Sequence, residues 1–415
     1  MHFLLELALK MKRAVSLRDF SSAESRREFL ENKLNIKLKN IGNFIFTEES
    51  VSGRNIENLI GATQIPLGVA GPIKFHSMNH EPRTHYIPLA TTEGALVASA
   101  SRGCKAITQS GGATVRAELV GTTRGPVFKV LGLEHGLKVQ QWIQSHISLI
   151  SLISQKTSSH IKLLKIDCSQ VGRNLFTRFY FDTQDAMGMN MVTIATTAAA
   201  KLIEKETRGT LISVAGNFDI DKKPAWLNFI TGRGKKVWAE AVLKKEVVKD
   251  ILKTTPEEIA EVVYRKIQVG SAMAGSLGFN AHFANCVAAI FAATGQDLAH
   301  VVEGSLGVTT AEVLKNGDLY FSIYLPSLMV GTIGGGTHLP TQQEALKIMG
   351  LPAARLPAGQ GRQGIKEYGD SLKYAEIVGS AILALEISLI ASQAEGTLAK
   401  AHERLGRKQK IDDRK

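Results

Sequence analysis

Four ionisable residues stand out for their surroundings: Glu93, Lys222, Asp297 and His402 lie in, or at the ends of, apolar or glycine-rich stretches. Carboxylates, an amine and an imidazole move protons and stabilise developing charge. Read singly, each has a plainer explanation. Glu93 follows Ala90-Thr91-Thr92 at the start of an apolar helix pattern, where a threonine and a following acid make a favourable N-cap. Lys222, in Asp221-Lys222-Lys223-Pro224, reads as part of a solvated turn. Asp297 follows Gly295-Gln296 after the apolar helix pattern at 281–294. An acid there opposes the helix dipole, which points to a partner cation or a chemical task. His402 ends the last helix pattern, where an imidazolium suits the dipole.

Several common signatures fail. Gly359-Gln360-Gly361-Arg362-Gln363-Gly364 matches GxGxxG, but it follows Arg355-Leu356-Pro357-Ala358 and not a strand pattern. The acid expected about 20 positions further on, at a second strand end, is missing. No GxxxxGK[ST], GxSxG or HExxH occurs, and His402-Glu403-Arg404-Leu405-Gly406 has no second histidine. P-loop, α/β-hydrolase and zincin readings therefore lose their main support; no metal site is expected.

The elements that would position these groups fall into blocks. Residues 1–55 are polar, with helical spacing over 22–37. From 58 the texture becomes turn-rich and apolar, and 92–107 reads as a helix with small residues on its packing face. Residues 125–213 read strand, helix, strand, strand, helix, strand, the order of a ferredoxin-like split unit. Helical patterns follow at 243–253, 255–269 and 280–294, then strands near 311–313 and 319–325. A helix at 341–349 and a long final helix from about 365 to 401, in one piece or two, complete the chain. The expected fold is α+β: a helical N-terminal unit at 1–55, a large α/β domain at 56–124 and 214–415 with a long central helix, and an inserted small domain at 125–213.

Composition is compatible with this. The chain has 415 residues, 44% hydrophobic and 21% charged, enough apolar material for two to three cores. Three scattered cysteines, Cys104, Cys168 and Cys286, give neither a disulfide framework nor a CxxC zinc site and suit a reducing compartment. The start, MHFLLELALKMKR, has a short apolar run interrupted by Glu6, so no signal peptide is expected. The most apolar stretch, 377–394, contains Glu386, alternates faces at helical spacing and reads as a core helix, not a membrane span. The net charge of +12 is spread along the chain, and with 6% aromatics nucleic-acid binding is not favoured. A basic surface also suits a polyanionic small molecule such as a nucleotide or coenzyme A.

Taken together, the segments resemble the 3-hydroxy-3-methylglutaryl-CoA reductase family. The resemblance is carried by Glu57-Asn58-Leu59-Ile60-Gly61, Pro88-Leu89-Ala90-Thr91-Thr92-Glu93-Gly94, Arg102-Gly103-Cys104-Lys105-Ala106-Ile107, Thr123-Arg124-Gly125-Pro126 and Asp221-Lys222-Lys223-Pro224-Ala225. It continues through Val269-Gly270-Ser271-Ala272-Met273-Ala274-Gly275-Ser276, Asn280-Ala281-His282, Gly295-Gln296-Asp297, Gly331-Thr332-Ile333-Gly334-Gly335-Gly336-Thr337 and Leu398-Ala399-Lys400-Ala401-His402. Asp185-Ala186-Met187-Gly188-Met189-Asn190 is similar to the family's dinucleotide motif, in the form shared by eukaryotes and many archaea.

The resemblance implies reduction of a thioester to mevalonate by two hydride transfers from NADPH, with NADH the alternative. By position, Lys222 matches the lysine that polarises the carbonyl oxygen and Glu93 the acid of the second reduction. Asp297 matches the carboxylate linking these two, and His402 the histidine that protonates the departing coenzyme A thiolate. Arg124, Lys223, Lys266 and Asn285 match positions around the acyl group; Ser99, Arg102 and His282 match coenzyme A-side positions. Asp185, Met187, Gly188, Met189, Asn190, Ser158, Gly335, Gly336 and Arg407 match cofactor positions. Active sites shared in a homodimer or homotetramer, and a cytoplasmic location with no membrane anchor, are implied as well. Three departures stand out: Ser158-Ser159-His160 replaces Ser-Arg-Phe, Ala215 replaces a substrate-loop serine, and Lys408 replaces a regulatory serine.

Overall fold

The computed structural model describes residues 16–78, 82–351 and 370–396. Contacts divide the chain into two units, one ending at Pro66 and one beginning at Leu67. In the first, helix α1 (Ala23–Leu34) starts at Ser22, whose hydroxyl accepts the Ser25 N–H, and stops at Asn35 in the left-handed conformation. Arg26 ties this unit together: it pairs with Glu48 and donates to the carbonyls of Leu17, Phe20 and Leu59.

The second unit is built on strands β1 (Leu67–Ser77), β2 (Arg83–Ala90), β3 (Ala113–Arg124), β4 (Val127–Lys129), β5 (Lys162–Val171), β6 (Asn174–Asp182), β7 (Thr210–Ser213), β8 (Gly234–Leu243), β9 (Gly278–Phe279), β10 (Gly307–Val313) and β11 (Leu319–Leu328). Its main helices are α2 (Leu96–Gln109), α3 (Leu133–Ser145), α4 (Ile147–Gln155), α5 (Met189–Thr207), α6 (Phe283–Thr294) and α7 (Asp370–Ala394). The strands run β7-β4-β6-β3-β8-β11-β10-β9, with β1 on β2 and β3, and β5 on β6.

β3 joins two halves of this surface. Its first part pairs with β8 from Thr114 to Gly121, and its last residues, Thr122 to Arg124, pair with β6. At the changeover Gly121 has φ of 110°, and a Cβ there would meet the Phe181 backbone at 3.2 Å. Only glycine allows both the turn and the approach.

Each half has its own apolar core. One gathers Phe128, Val139, Ile143, Phe179, Phe181, Val192 and Ile203 from the strands and helices between 128 and 203. There β7-β4-β6-β5 are antiparallel neighbours with α3, α4 and α5 packed on them, the ferredoxin-like arrangement expected from the element order. The other core surrounds α7, whose residues from Tyr374 to Ser388 are all buried.

The helix is the core helix expected from its sequence. It is long and apolar enough to cross a membrane by composition, yet 89% of its most apolar window is buried inside the fold. Its neighbours enclose it on every face. α2 begins at Leu96, after Ala95 at φ 74°, so Glu93 precedes the helix instead of opening it.

Candidate active site

The segment carrying Lys222 is held in an unfavourable backbone conformation. Asn217, Ile220 and Lys222 have φ of 64°, 52° and 58°, values an L-residue adopts only when its surroundings insist. Those surroundings are polar and specific. Thr123 Oγ1 donates to the Asp219 carbonyl at 2.9 Å and Asn228 Nδ2 to the Ile220 carbonyl at 3.0 Å. The Lys222 N–H donates to Glu303 Oε1 at 3.2 Å.

Lys222 Nζ then lies 2.8 Å from Asp297 Oδ2. Asp297 sits beyond α6, which ends at Gly295 in the left-handed conformation, and its carboxylate accepts the Ala299 N–H of the following turn at 3.1 Å. The acid therefore caps a second turn and has the partner cation that its position asks for. Burial pushes the Asp297 carboxyl up. The hydrogen bonds from Lys222 and Ala299 and the nearby charges of His300 and Lys222 outweigh it, so the group ends below its ordinary 3.8.

Beneath this pair is a buried charge network. Arg233, with no exposed side-chain area, pairs with Asp221 at 3.0 Å and with Glu303, which is equally buried. Arg124 pairs with Asp219 at 3.0 Å and reaches Asp221 at 3.7 Å; its other nitrogens donate to Thr193. His300 Nδ1 is 2.9 Å from Glu303 Oε1. Asp221, His300 and Glu303 present donor atoms within 4.8 Å of one another. The Arg233 guanidinium already bonds both carboxylates, so the cation this cluster wants is a side chain.

A second set of expected residues meets on the far half of α7. Ser99 Oγ and Arg102 Nε both reach Ser388 Oγ at 2.9 Å, and Lys266 Nζ donates to Gln393 Oε1 at 2.8 Å. Burial lowers the proton affinity of Arg102 and Lys266. The His282 N–H donates to Glu386 at 2.7 Å, and the Asn285 N–H to the His282 carbonyl at 3.0 Å. His282 Nε2 is buried with no partner among the described residues. Lys223 is exposed, its ammonium on the Asp221 carbonyl at 3.0 Å.

The expected cofactor positions form two facing loops. Asp185 accepts the Thr332 N–H at its carbonyl, 2.8 Å, and the Ser371 N–H at its carboxylate, 2.9 Å, anchoring the start of α7. Ala186 bridges Ile333. At Gly331 a Cβ would fall 2.3 Å from the Met187 nitrogen, so only glycine permits this approach. Gln296 clamps Gly331 on both its N–H and its carbonyl, at 3.0 and 2.9 Å. Gly335 is exposed and Gly336 half-buried, while Gly188, the N-cap of α5, gives no side-chain bond to the first-turn N–H groups, which include those of Met189 and Asn190. An exposed glycine backbone beside an open helix N-terminus fits a dinucleotide phosphate. Lys235 lies under the same loop, donating to the Val330 carbonyl at 3.0 Å, with burial lowering its pKa to about 8 against the pull of Asp185 and Asp182. Ser158 Oγ lies 3.7 Å from Met191 Sδ and accepts the His160 N–H at 3.2 Å.

Glu93 is exposed; its N–H donates to Thr91 Oγ1 at 3.0 Å, and no ion pair joins it to Lys222 among the described residues. His402 and Arg407 lie outside the described residues. Sequence reasoning missed Arg233, His300 and Glu303. A signal existed: Asp297, His300 and Glu303 recur at intervals of three, the spacing that stacks side chains on one helical face.

The sequence model of the hydroxymethylglutaryl-coenzyme A reductase family matches residues 22–407. The chain belongs to this family. It is 49% identical over 394 residues to the 3-hydroxy-3-methylglutaryl-coenzyme A reductase of Methanocaldococcus jannaschii, covering 93% of each chain. It is 46% identical over 387 residues to that of Haloferax volcanii, again covering 93% of each. Among solved structures it resembles the NADPH-bound class II reductase of Streptococcus pneumoniae, with a TM-score of 0.64, 18% identity and coverage of 91% of this chain and 100% of that one. At that identity the likeness is one of fold.

Proposed function

We propose that this reductase-family protein converts (S)-3-hydroxy-3-methylglutaryl-CoA to (R)-mevalonate and CoA, a four-electron reduction in the mevalonate route to isoprenoids. The observation that carries the reading is the Lys222–Asp297 pair, an ammonium held ready for an oxyanion by a left-handed backbone and a carboxylate.

NADPH, when bound, supplies hydride to the thioester carbonyl and then to the aldehyde that remains after CoA leaves. Gly335 and Gly336, the 185–190 loop and the N-terminus of α5 are the groups that would hold it. Lys222 Nζ stabilises the oxygen as it gains charge in each reduction, a preorganised cation in place of reorienting water. Asp297 fixes that ammonium and shares its proton. Arg124 and Lys223 supply positive charge for the free carboxylate of the acyl group. Ser99, Arg102, Lys266, His282 and Asn285, gathered on or beside α7, are assigned to the acyl and CoA portions. Glu93 is assigned the proton of the second reduction and His402 that of the CoA thiolate. Arg407 is assigned to a cofactor phosphate.

Because Glu93 stands exposed and without an ion pair to Lys222, the complete site is assigned to an assembly of at least two copies, a homodimer or homotetramer. Three free cysteines suit a reducing compartment, and we place the protein in the cytoplasm. NADH is the second reading for the cofactor, favoured by Ser159 and His160, where an arginine would grip a 2′-phosphate; the His160 ring instead faces Gln184 Oε1 at 3.4 Å. The test is oxidation of NADPH dependent on hydroxymethylglutaryl-CoA, repeated with NADH. Turnover with NADPH is expected; no acyl-CoA-dependent oxidation of either nucleotide would refute the assignment.

A further inference from the structure

The Lys222–Asp297 pair lies against a buried imidazole to which the scheme above gives no task. His300 has 0% exposure and stands three residues after Asp297, at the end of the turn Leu298–His300. Its Nδ1 faces Glu303 Oε1 at 2.9 Å, and that carboxylate also accepts from Arg233 and from the Lys222 N–H. A carboxylate so placed is an acceptor, so the hydrogen in this contact belongs to Nδ1. Nε2 is then the variable position. It is buried without a hydrogen-bond partner among the described residues, 3.7 Å from Asp297 Oδ2 and 3.9 Å from Asp221 Oδ1. A lone pair there is repelled by both carboxylates, whereas an N–H is attracted by both.

The charges around the ring point the same way. Four carboxylates, Asp219, Asp221, Asp297 and Glu303, are joined by ion pairs to three cations, Arg124, Arg233 and Lys222. An imidazolium at His300 makes four against four. Those groups come from every neighbouring segment: Glu303 from the short helix Val301–Gly304, Asp297 from the loop after α6, Asp219, Asp221 and Lys222 from the strained loop, Arg233 from the entry to β8 and Arg124 from the end of β3.

We propose that His300 is a positioning residue for the reduction, acting through Asp297. A proton on Nε2 draws the Asp297 carboxylate toward the ring and leaves the Lys222 ammonium free to meet the substrate oxygen. When that proton passes from Nε2 to Asp297 Oδ2, the ring becomes neutral and the carboxyl becomes the acid that resupplies Lys222 after it has given a proton to the oxyanion of the first reduction. Collapse of that adduct to the aldehyde and the CoA thiolate returns the proton by the same path, so no bond other than N–H and O–H is made or broken in the relay and the two protons consumed overall remain those assigned to Glu93 and His402.

This inference rests on the reductase reading, so the test has one arm that uses turnover and one that does not. In His300→Asn the amide can keep the bond to Glu303 but places nothing at the Nε2 position. With hydroxymethylglutaryl-CoA and NADPH, kcat is expected to fall about ten-fold with KM within about two-fold. The acidic limb of the kcat–pH profile should move to higher pH, because Asp297 loses a neighbouring cation. A wild-type profile in His300→Asn overturns the proposal; so does a fall in kcat with an unmoved limb and a lower thermal midpoint, the mark of a structural role alone. The second arm follows the His300 ring by NMR in protein with isotope-labelled histidine. Asp297→Asn should change the Nε2 resonance, which faces Asp297, while Nδ1, held by Glu303, keeps its own, and an unchanged Nε2 resonance overturns the proposal even if the wild type turns over no acyl-CoA.

Discussion

Lys222 Nζ and Asp297 Oδ2 are 2.8 Å apart, yet neither side chain is buried: 39% and 35% of their areas remain exposed. Such a pair contributes only about 0–1 kcal/mol by itself, because water screens it and two side chains must be ordered. The geometry comes from elsewhere, from the left-handed backbone at Lys222, the Glu303 carboxylate on its N–H and the Ala299 N–H on Asp297. A weak pair in a stiff frame suits a group that must point one way and still release its partner to a substrate.

Removing the ammonium should therefore separate activity from stability. In Lys222→Ala, kcat is expected to fall by about 10²–10³-fold, the range for losing one preorganised oxyanion donor. The thermal midpoint should stay close to wild type, since only an exposed pair is lost. Steady-state rates and a melting curve on the same preparation check both halves. A fully active variant would remove Lys222 from the mechanism.

Asp297 gives a stability signature at acid pH. Its carboxyl lies below the ordinary 3.8 in the folded chain, so the unfolded chain takes up the proton first as pH falls. The stabilisation is fully present above about pH 4–5 and is lost as pH drops through the folded value. Asp297→Asn lacks this term. The difference in urea midpoint between wild type and variant should be flat from pH 5 to 7 and shrink below about pH 4. A difference that grows on acidification would contradict the direction of the shift.

The ferredoxin-like half was legible because its strands and helices alternate cleanly and α5 has a long unbroken pattern over 189–207. β1 and β2 were not legible as strands: Gly68, Gly71, Pro72 and Pro88 punctuate them, and each strand finds its place only by pairing with the other. β8 has Lys235 and Lys236 at its start, polar residues that disguise a strand lying between β3 and β11. At the site, Asp297 could be picked out from its setting at a helix end, and Lys222 only from the family resemblance. Glu303 left only its three-residue spacing from His300 and Asp297, and Arg233 left nothing, because a buried ion pair joining residues 233 and 303 creates no periodicity around residue 233.

That ion pair should be the most costly part of the site to break. Arg233→Met leaves Glu303 buried without its guanidinium, and the loss of one partner of a buried pair is expected to cost about 3–5 kcal/mol. Adding Glu303→Gln should recover part of the loss, since the second change removes the stranded charge. Urea unfolding of the two single variants and the double variant gives the coupling. Strict additivity would mean that the pair does not act as a unit.

The cofactor loops offer a test by close approach. A Cβ on Gly331 would lie 2.3 Å from the Met187 nitrogen and 2.9 Å from the Asp185 carbonyl, both backbone atoms that cannot swing aside. Gly331→Ala must therefore push the 331–336 loop away from the 185–190 loop, stretching the 2.8 Å bond from the Thr332 N–H to Asp185. Overpacking of this kind costs about 1–3 kcal/mol. If the two loops together hold the dinucleotide, its dissociation constant should rise about ten-fold or more, at 1.4 kcal/mol per decade. Binding of hydroxymethylglutaryl-CoA alone, which the reading assigns to Arg124, Lys223 and the residues beside α7, should change much less. Titration calorimetry with each ligand separately distinguishes the cases, and equal weakening of both would mean that Gly331 supports the fold in general and not the cofactor loops.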